Sequence, residues 1–246
     1  MYHIELGGSG VSAQGSYHCI NQDSFLVLSY GDGWIAVVSD GMGSKPLSHY
    51  GSKQICQSLY NVVTNKRCPL KEMAMADILL EAHEHWKKSI KAAGYPIEDC
   101  GATVLVCIVE GNHMKVARYG DGLISVYLDR KVLSFFDDKS VHYLNETVGL
   151  GDVLLIKDME LIELDFTEFY GALLSTDGIE ISPMKKSTID TFTKEIIWEC
   201  VGETTKSFCN KIKSWIENWL GSDDKTLVYL VNKEYMDEQE ERNNRL

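Results

Sequence analysis

The stretch that decides the fold is Trp34-Ile35-Ala36-Val37-Val38-Ser39-Asp40-Gly41-Met42-Gly43-Ser44. Its first half is an apolar, β-branched run, the pattern of a buried strand. The run stops at an aspartate with two glycines close behind it. Gly41 and Gly43 allow the backbone to turn sharply and to come close to a bound ion or phosphate. A carboxylate at the tip of a strand is held by the sheet rather than by a mobile loop, which suits a metal ligand. On its own, a strand that ends in Asp-Gly is only an ordinary turn.

The same grammar recurs along the chain. Phe169 to Ser175 leads into Thr176-Asp177-Gly178, and Met114 to Tyr119 leads into Gly120-Asp121-Gly122. Ser222-Asp223-Asp224-Lys225-Thr226 precedes the strand-like Leu227 to Val231, and Asn21-Gln22-Asp23 precedes Ser24 to Leu28. Repeated carboxylate corners at strand edges suggest one shared acidic pocket. Packed together without cations, such groups repel and raise one another's pKa values. Divalent cations remove that penalty, and an all-oxygen carboxylate set suits Mg²⁺ or Mn²⁺ rather than zinc.

In its ordered motifs the chain resembles the metal-dependent protein serine/threonine phosphatases of type 2C. The resemblance is carried by Asn21-Gln22-Asp23, Asp40-Gly41-Met42-Gly43, Gly101-Ala102-Thr103, Gly120-Asp121, Ser175-Thr176-Asp177-Gly178 and Asp223-Asp224-Lys225-Thr226. It covers nearly the whole chain, and the opening Gly15-Ser16-Tyr17-His18 points to a bacterial branch of that family. It implies a four-layer αββα sandwich in which the corners converge at one end. There Asp40 bridges two cations, the Gly41 carbonyl ligates one, and Asp177 and Asp223 complete the other. Asp23 is a direct or water-mediated partner, and Asp121 serves a third, weaker site or holds a metal-bound water. Two cations about 4 Å apart can share a water and polarise a phosphoryl oxygen, so the implied reaction is phosphomonoester hydrolysis.

Four places depart from the family pattern. His18 stands where the family places an arginine for the substrate phosphate, and it takes that catalytic role in this reading although a guanidinium fork is the better anion clamp. Gln22 replaces a glutamate. Met42 replaces the histidine that eukaryotic relatives carry as a proposed general acid. After Gly120-Asp121, Gly122-Leu123 replaces the usual Ser-Arg.

Composition narrows the alternatives. With a net charge of −12 the chain is unsuited to nucleic acid or to anionic membranes. That also argues against a metal-dependent nuclease. Seven cysteines without a CxxC pair or a secretory leader read as reduced thiols in a cytoplasmic protein. No Cys-x5-Arg loop supports a cysteinyl-phosphate route. The expected partner is a phosphoprotein, the target of a serine/threonine kinase, and the expected state is a monomer. A second reading makes the domain a non-catalytic phosphoprotein-binding pseudophosphatase, given His18 and Gln22.

The remaining pattern predicts an α+β fold, two antiparallel sheets flanked by helices. A first strand is expected at Tyr2 to Leu6, then a flexible loop from Gly7 to Gly15. Helices are expected at Ser48 to Asn65 and, opened by Pro69, at Leu70 to Ala93, with the stripe Met73, Ala76, Leu80, His83, Trp86, Ile90. His83 and His85 read as boundary residues rather than ligands. Thr103 to Phe136 reads as one antiparallel meander, 137–158 as irregular, and Lys185 to Ser187 as a short flap. Ile189 to Leu220 reads as helix with a break near Gly202. Residues 1–234 form the expected catalytic domain and 235–246 a charged, disordered tail.

Overall fold

The computed structural model describes residues 5–66, 68–136, 148–182, 184–200 and 203–233. Strands β1 (Leu6–Ala13), β2 (Ser24–Tyr30) and β3 (Gly33–Ser39) are followed by helices α1 (Ser48–Thr64) and α2 (Met75–Ala92). Strands β4 (Val104–Glu110), β5 (His113–Tyr119), β6 (Leu123–Leu128) and β7 (Lys131–Phe135) come next. Then come β8 (Glu160–Asp165), β9 (Phe169–Ser175), helices α3 (Lys186–Glu199) and α4 (Thr205–Glu217), and β10 (Lys225–Asn232). Two five-stranded antiparallel sheets result, ordered β1-β10-β9-β6-β7 and β2-β3-β4-β5-β8.

Side-chain alternation along the strands builds three apolar layers. Along β3, Ala36 and Val38, with Leu105 of β4, face the other sheet and its Ile124, Leu174 and Val228. Ile35 and Val37 point the opposite way, against Ile55, Leu59, Ile78 and Trp86 of α1 and α2. On the far side Leu173, Leu227 and Tyr229 pack under Ile197, Phe208 and Ile212 of α3 and α4. Strands buried on both faces explain why the sequence shows continuous apolar runs. The expected αββα sandwich is the observed architecture, and among the described residues no helix is long and apolar enough to cross a membrane.

Several local expectations are corrected. The glycine-rich segment after Leu6 is strand β1, not a loop; residues 1–4 lie outside the described set. A Cβ at Gly8 would lie 2.6 Å from Leu230 Cδ2, and one at Gly10 2.7 Å from Phe25, so these glycines let β1 close against β10 and the opposite sheet. Helix α2 starts at Met75 after a short 3₁₀ turn at Leu70–Glu72. Its buried side is Met75, Ile78, Leu79, Ala82, His83, Trp86 and Ile90, while Leu80 faces solvent, so the expected stripe is out of phase over its first turns. His83 is buried, donates from Nε2 to the Gly151 carbonyl at 2.7 Å and stacks on Trp86, the core or boundary role expected.

The strands from β4 to β7 do not form one meander. β4 and β5 pair as a hairpin in one sheet, and β6 and β7 pair in the other. Gly120-Asp121-Gly122 is therefore the crossing between sheets, with φ of +101° and +102° at its two glycines. Arg118 shores up this crossing by donating to the Gly122 carbonyl and pairing with Glu160. The expected flap residue Lys186 opens α3 and bonds the Val132 carbonyl and Asp190. The helical break falls between Glu199 and Thr205, with 201–202 outside the described residues. The irregular reading of 137–147 and the tail at 235–246 also lie outside them.

The β5–β8 edge carries a ladder of ion pairs: His113 with Asp165, Lys115 with Glu163, Arg118 with Glu160. Glu163 also accepts the Met75 amide at 2.7 Å, pinning the start of α2. Lys115 is completely buried, so its ammonium depends on this one carboxylate. Glu163→Ala should destabilise the protein by about 3 kcal/mol, the cost of stranding a buried charge. Replacing Lys115 and Glu163 together by methionine should cost much less. Urea unfolding of the two variants checks this, and equal losses would rule out a stranded charge.

Candidate metal-dependent active site

Every aspartate corner lies at the same end of the sandwich. A pocket of about 560 Å³ opens there, lined by Asp40, Asp121, Asp177 and Asp223 together with Tyr17, His18, Met42, Lys45 and Thr103. Each carboxylate sits just outside a strand: Asp40 after β3, Asp121 at the sheet crossing, Asp177 after β9, Asp223 before β10. Rigid strand ends thus fix groups far apart in the chain.

Asp40 is locked from both sides of its peptide. Its amide donates to Thr103 Oγ1 at 2.9 Å and its carbonyl accepts from the Thr103 amide at 2.8 Å. Gly41 bridges to Ala102, and the Met42 amide bonds the Gly101 carbonyl. The pairing of β3 with β4 therefore continues past the strand ends to hold the aspartate. A Cβ on Gly41 would approach the Gln22 carbonyl oxygen at 2.8 Å and Ser48 at 2.9 Å, so only glycine fits. The thioether of Met42 lies over Gly101 and Gly149, where a Cβ at either would come within 2.8 Å of the sulfur.

Asp23 sits below the pocket floor and is buried. Thr176 and Thr226 donate to its Oδ2 at 2.8 and 2.7 Å, and the Thr226 hydroxyl in turn accepts from Ser12 at 2.8 Å. Its Oδ1 meets no hydrogen-bond donor among the described residues, and its carboxyl group lies against that of Asp40. Burial pushes the Asp23 carboxyl up to about 7, against the lowering effect of the two threonines. Burial raises Asp40 well above the usual carboxylate range, and the charges of Asp23, Asp177 and Asp121 raise it further. Crowded carboxylates with an undonated buried oxygen are what a cation site looks like without its cation. The oxygen-only donor set fits Mn²⁺ or Mg²⁺.

The two neighbouring aspartates before β10 do different things. Asp224 is buried and accepts the Gly15 amide at 2.8 Å and the Gln22 amide at 2.7 Å. Asp223 keeps about half of its side chain exposed, 51 %, in the pocket wall. The Lys225 ammonium folds back onto the Gly221 and Asp223 carbonyls and shapes this corner. His18 lies beside both, with Nδ1 3.6 Å from Asp224 and 3.9 Å from Asp223, and Tyr17 packs edge-on against its ring. Both ring nitrogens are shielded from solvent, and a Cβ at Gly43 would lie 3.2 Å from Nε2. The supporting groups Thr103, Thr176, Thr226 and Asp224 sit inside the quoted motifs. Their roles depend on partners up to 214 positions away, which spacing alone does not reveal.

A sequence profile of the protein phosphatase 2C family matches residues 14–221. The chain belongs to the protein phosphatase 2C family. It is therefore a protein serine/threonine phosphatase by class. Solved structures share the fold at low identity. One titled a bacterial serine phosphatase is 15 % identical with a TM-score of 0.69, covering 94 % of this chain and 98 % of that one. Stp1 from Staphylococcus aureus, a serine/threonine phosphatase, is 14 % identical with a TM-score of 0.68, covering 93 % and 95 %. The catalytic domain of the phosphatase PstP, in complex with two manganese ions, is 15 % identical with a TM-score of 0.66, covering 93 % and 98 %. A search of the curated proteins finds no match.

A carboxyl with a raised pKa binds its proton more tightly in the folded protein than in the unfolded chain. It stabilises the fold at low pH, and that contribution is lost as pH rises from 3.8 toward 7 at Asp23. A cation must displace the proton, so Mn²⁺ binding strengthens as pH rises. The rise in melting temperature produced by Mn²⁺ should be larger at about pH 8 than at about pH 5.5. Asp40→Asn should raise the melting temperature of the metal-free protein by a few degrees and remove the Mn²⁺ response. Thermal denaturation with and without Mn²⁺ checks both, and a metal-free loss of stability in Asp40→Asn would count against carboxylate crowding.

Proposed function

We propose that this family member hydrolyses phosphoserine and phosphothreonine in a protein substrate with the help of divalent cations held by Asp40, the Gly41 carbonyl, Asp177 and Asp223. Asp23 supports the set from below and Asp121 from the sheet crossing. The observation that carries the reading is the convergence of Asp40, Asp121 and Asp177 on one pocket with Asp23 beside it, where burial first and the neighbouring charges second raise the Asp40 carboxyl. Two cations, Mn²⁺ or Mg²⁺, with a third at Asp121, would supply an activated water and charge neutralisation for the phosphoryl group.

The chain's own residues do the positioning. Thr103 fixes the Asp40 peptide, and Thr176 and Thr226 hold Asp23 Oδ2 so that its carboxyl stays against that of Asp40. Fixed donors need no rearrangement during reaction, which favours the in-line attack. Met42 carries no proton to give, so the leaving alkoxide takes its proton from water or from another group. His18 lies against Asp223 and Asp224 and orients that corner. In this reading residues 1–234 act as one catalytic domain, a cytoplasmic monomer that reverses the work of a serine/threonine kinase.

With Mn²⁺, wild-type protein should release phosphate from a phosphothreonine peptide. Asp40→Asn, Asp177→Asn and Asp223→Asn should each lower kcat/KM more than about a hundredfold, since even supporting groups around a metal are worth 10–100-fold. A wild-type protein that binds Mn²⁺ and the phosphopeptide without turnover would instead establish the pseudophosphatase reading.

A further inference from the structure

The pocket presents four carboxylates and His18, yet its substrate carries a phosphate dianion that needs a cationic partner of its own. His18 is poorly placed for that task. Its Nδ1 faces Asp223 and Asp224, and both ring nitrogens are covered. Lys45 is different. It lines the same pocket, half-buried, and its ammonium makes no ion pair or hydrogen bond among the described residues.

The backbone around Lys45 is fixed. Its amide donates to the Met42 carbonyl at 2.8 Å, its carbonyl accepts from Ser48 at the start of α1, and Pro46 follows. The Leu47 amide is tied to the Asp99 carbonyl at 2.9 Å. The aliphatic stem lies over Gly101, where an added Cβ would meet Lys45 Cγ at 3.3 Å. A held stem with an unengaged head at the rim of an acidic pocket is a poor stability device. Its ammonium is a mobile point charge suited to meeting an anion that arrives.

We propose that Lys45, rather than His18, receives the non-bridging oxygens of the substrate phosphate. The inference rests on the phosphatase reading above and assigns the anion-binding group within it. His18 then serves as a positioning residue for the Asp223–Asp224 corner.

The test compares wild type with Lys45→Ala, Lys45→Arg and His18→Gln, all loaded with saturating Mn²⁺. Inorganic phosphate is titrated calorimetrically into each protein, and KM and kcat are measured with p-nitrophenyl phosphate. Lys45→Ala should weaken phosphate binding and raise KM about tenfold, the loss of one charge-assisted contact, with Mn²⁺ affinity unchanged. Lys45→Arg should restore most of the phosphate affinity. His18→Gln should alter Mn²⁺ affinity while leaving the phosphate dissociation constant in place. If Lys45→Ala binds phosphate within about twofold of wild type, or if His18→Gln shows the loss instead, Lys45 is not the anion-binding group. A wild type that turns over no phosphate ester overturns the phosphatase reading itself and is told apart at once from a failure confined to Lys45.

Discussion

The structure depends on holding carboxyl groups together where burial disfavours their charged form. Asp23 and Asp40 face each other at the end of the sandwich, with Asp121 and Asp177 close enough to raise Asp40 further. Left to themselves these side chains would swing apart into water. They cannot, because each is mounted at a strand end whose neighbours are packed on both faces. The apolar layers supply the free energy that keeps the charges together. The site therefore concentrates carboxyl groups whose charged forms burial disfavours, the setting in which a divalent cation is favoured.

That setting explains the supporting hydrogen bonds. Thr176 and Thr226 each give a hydroxyl to one oxygen of Asp23 and leave the other without a donor. Thr103 grips the peptide of Asp40 and not its carboxyl. Asp224, chemically identical to Asp223, is spent on two backbone amides and kept out of the pocket. Neutral donors are placed where they orient a ligand without occupying its metal-facing oxygen.

Much of the architecture was readable because apolar runs ending in aspartate are a local pattern. Asp40, Asp177 and Asp223 announce themselves by the strands they adjoin. What local pattern could not show is which strands pair. Gly120-Asp121-Gly122 looks like a hairpin turn, yet it carries the chain from one sheet to the other. The glycines of β1 look like a loop, because the close approach of β10 and β2 that demands them is made by distant residues. Helix α2 starts late because Glu163, on another strand, caps the Met75 amide. Asp223 and Asp224 are indistinguishable in sequence, and only burial separates their roles.

The pairing of Asp224 with the amides of Gly15 and Gln22 carries a consequence for biosynthesis. Strand β1 borders β10 alone, so it has no sheet partner until residues 225–232 have emerged from the ribosome. Contacts of such long sequence separation form slowly. A nascent chain halted before Leu227 leaves β1 without the strand that pairs with it. The acidic corner is thus completed only when β10 has paired with β1 and β9.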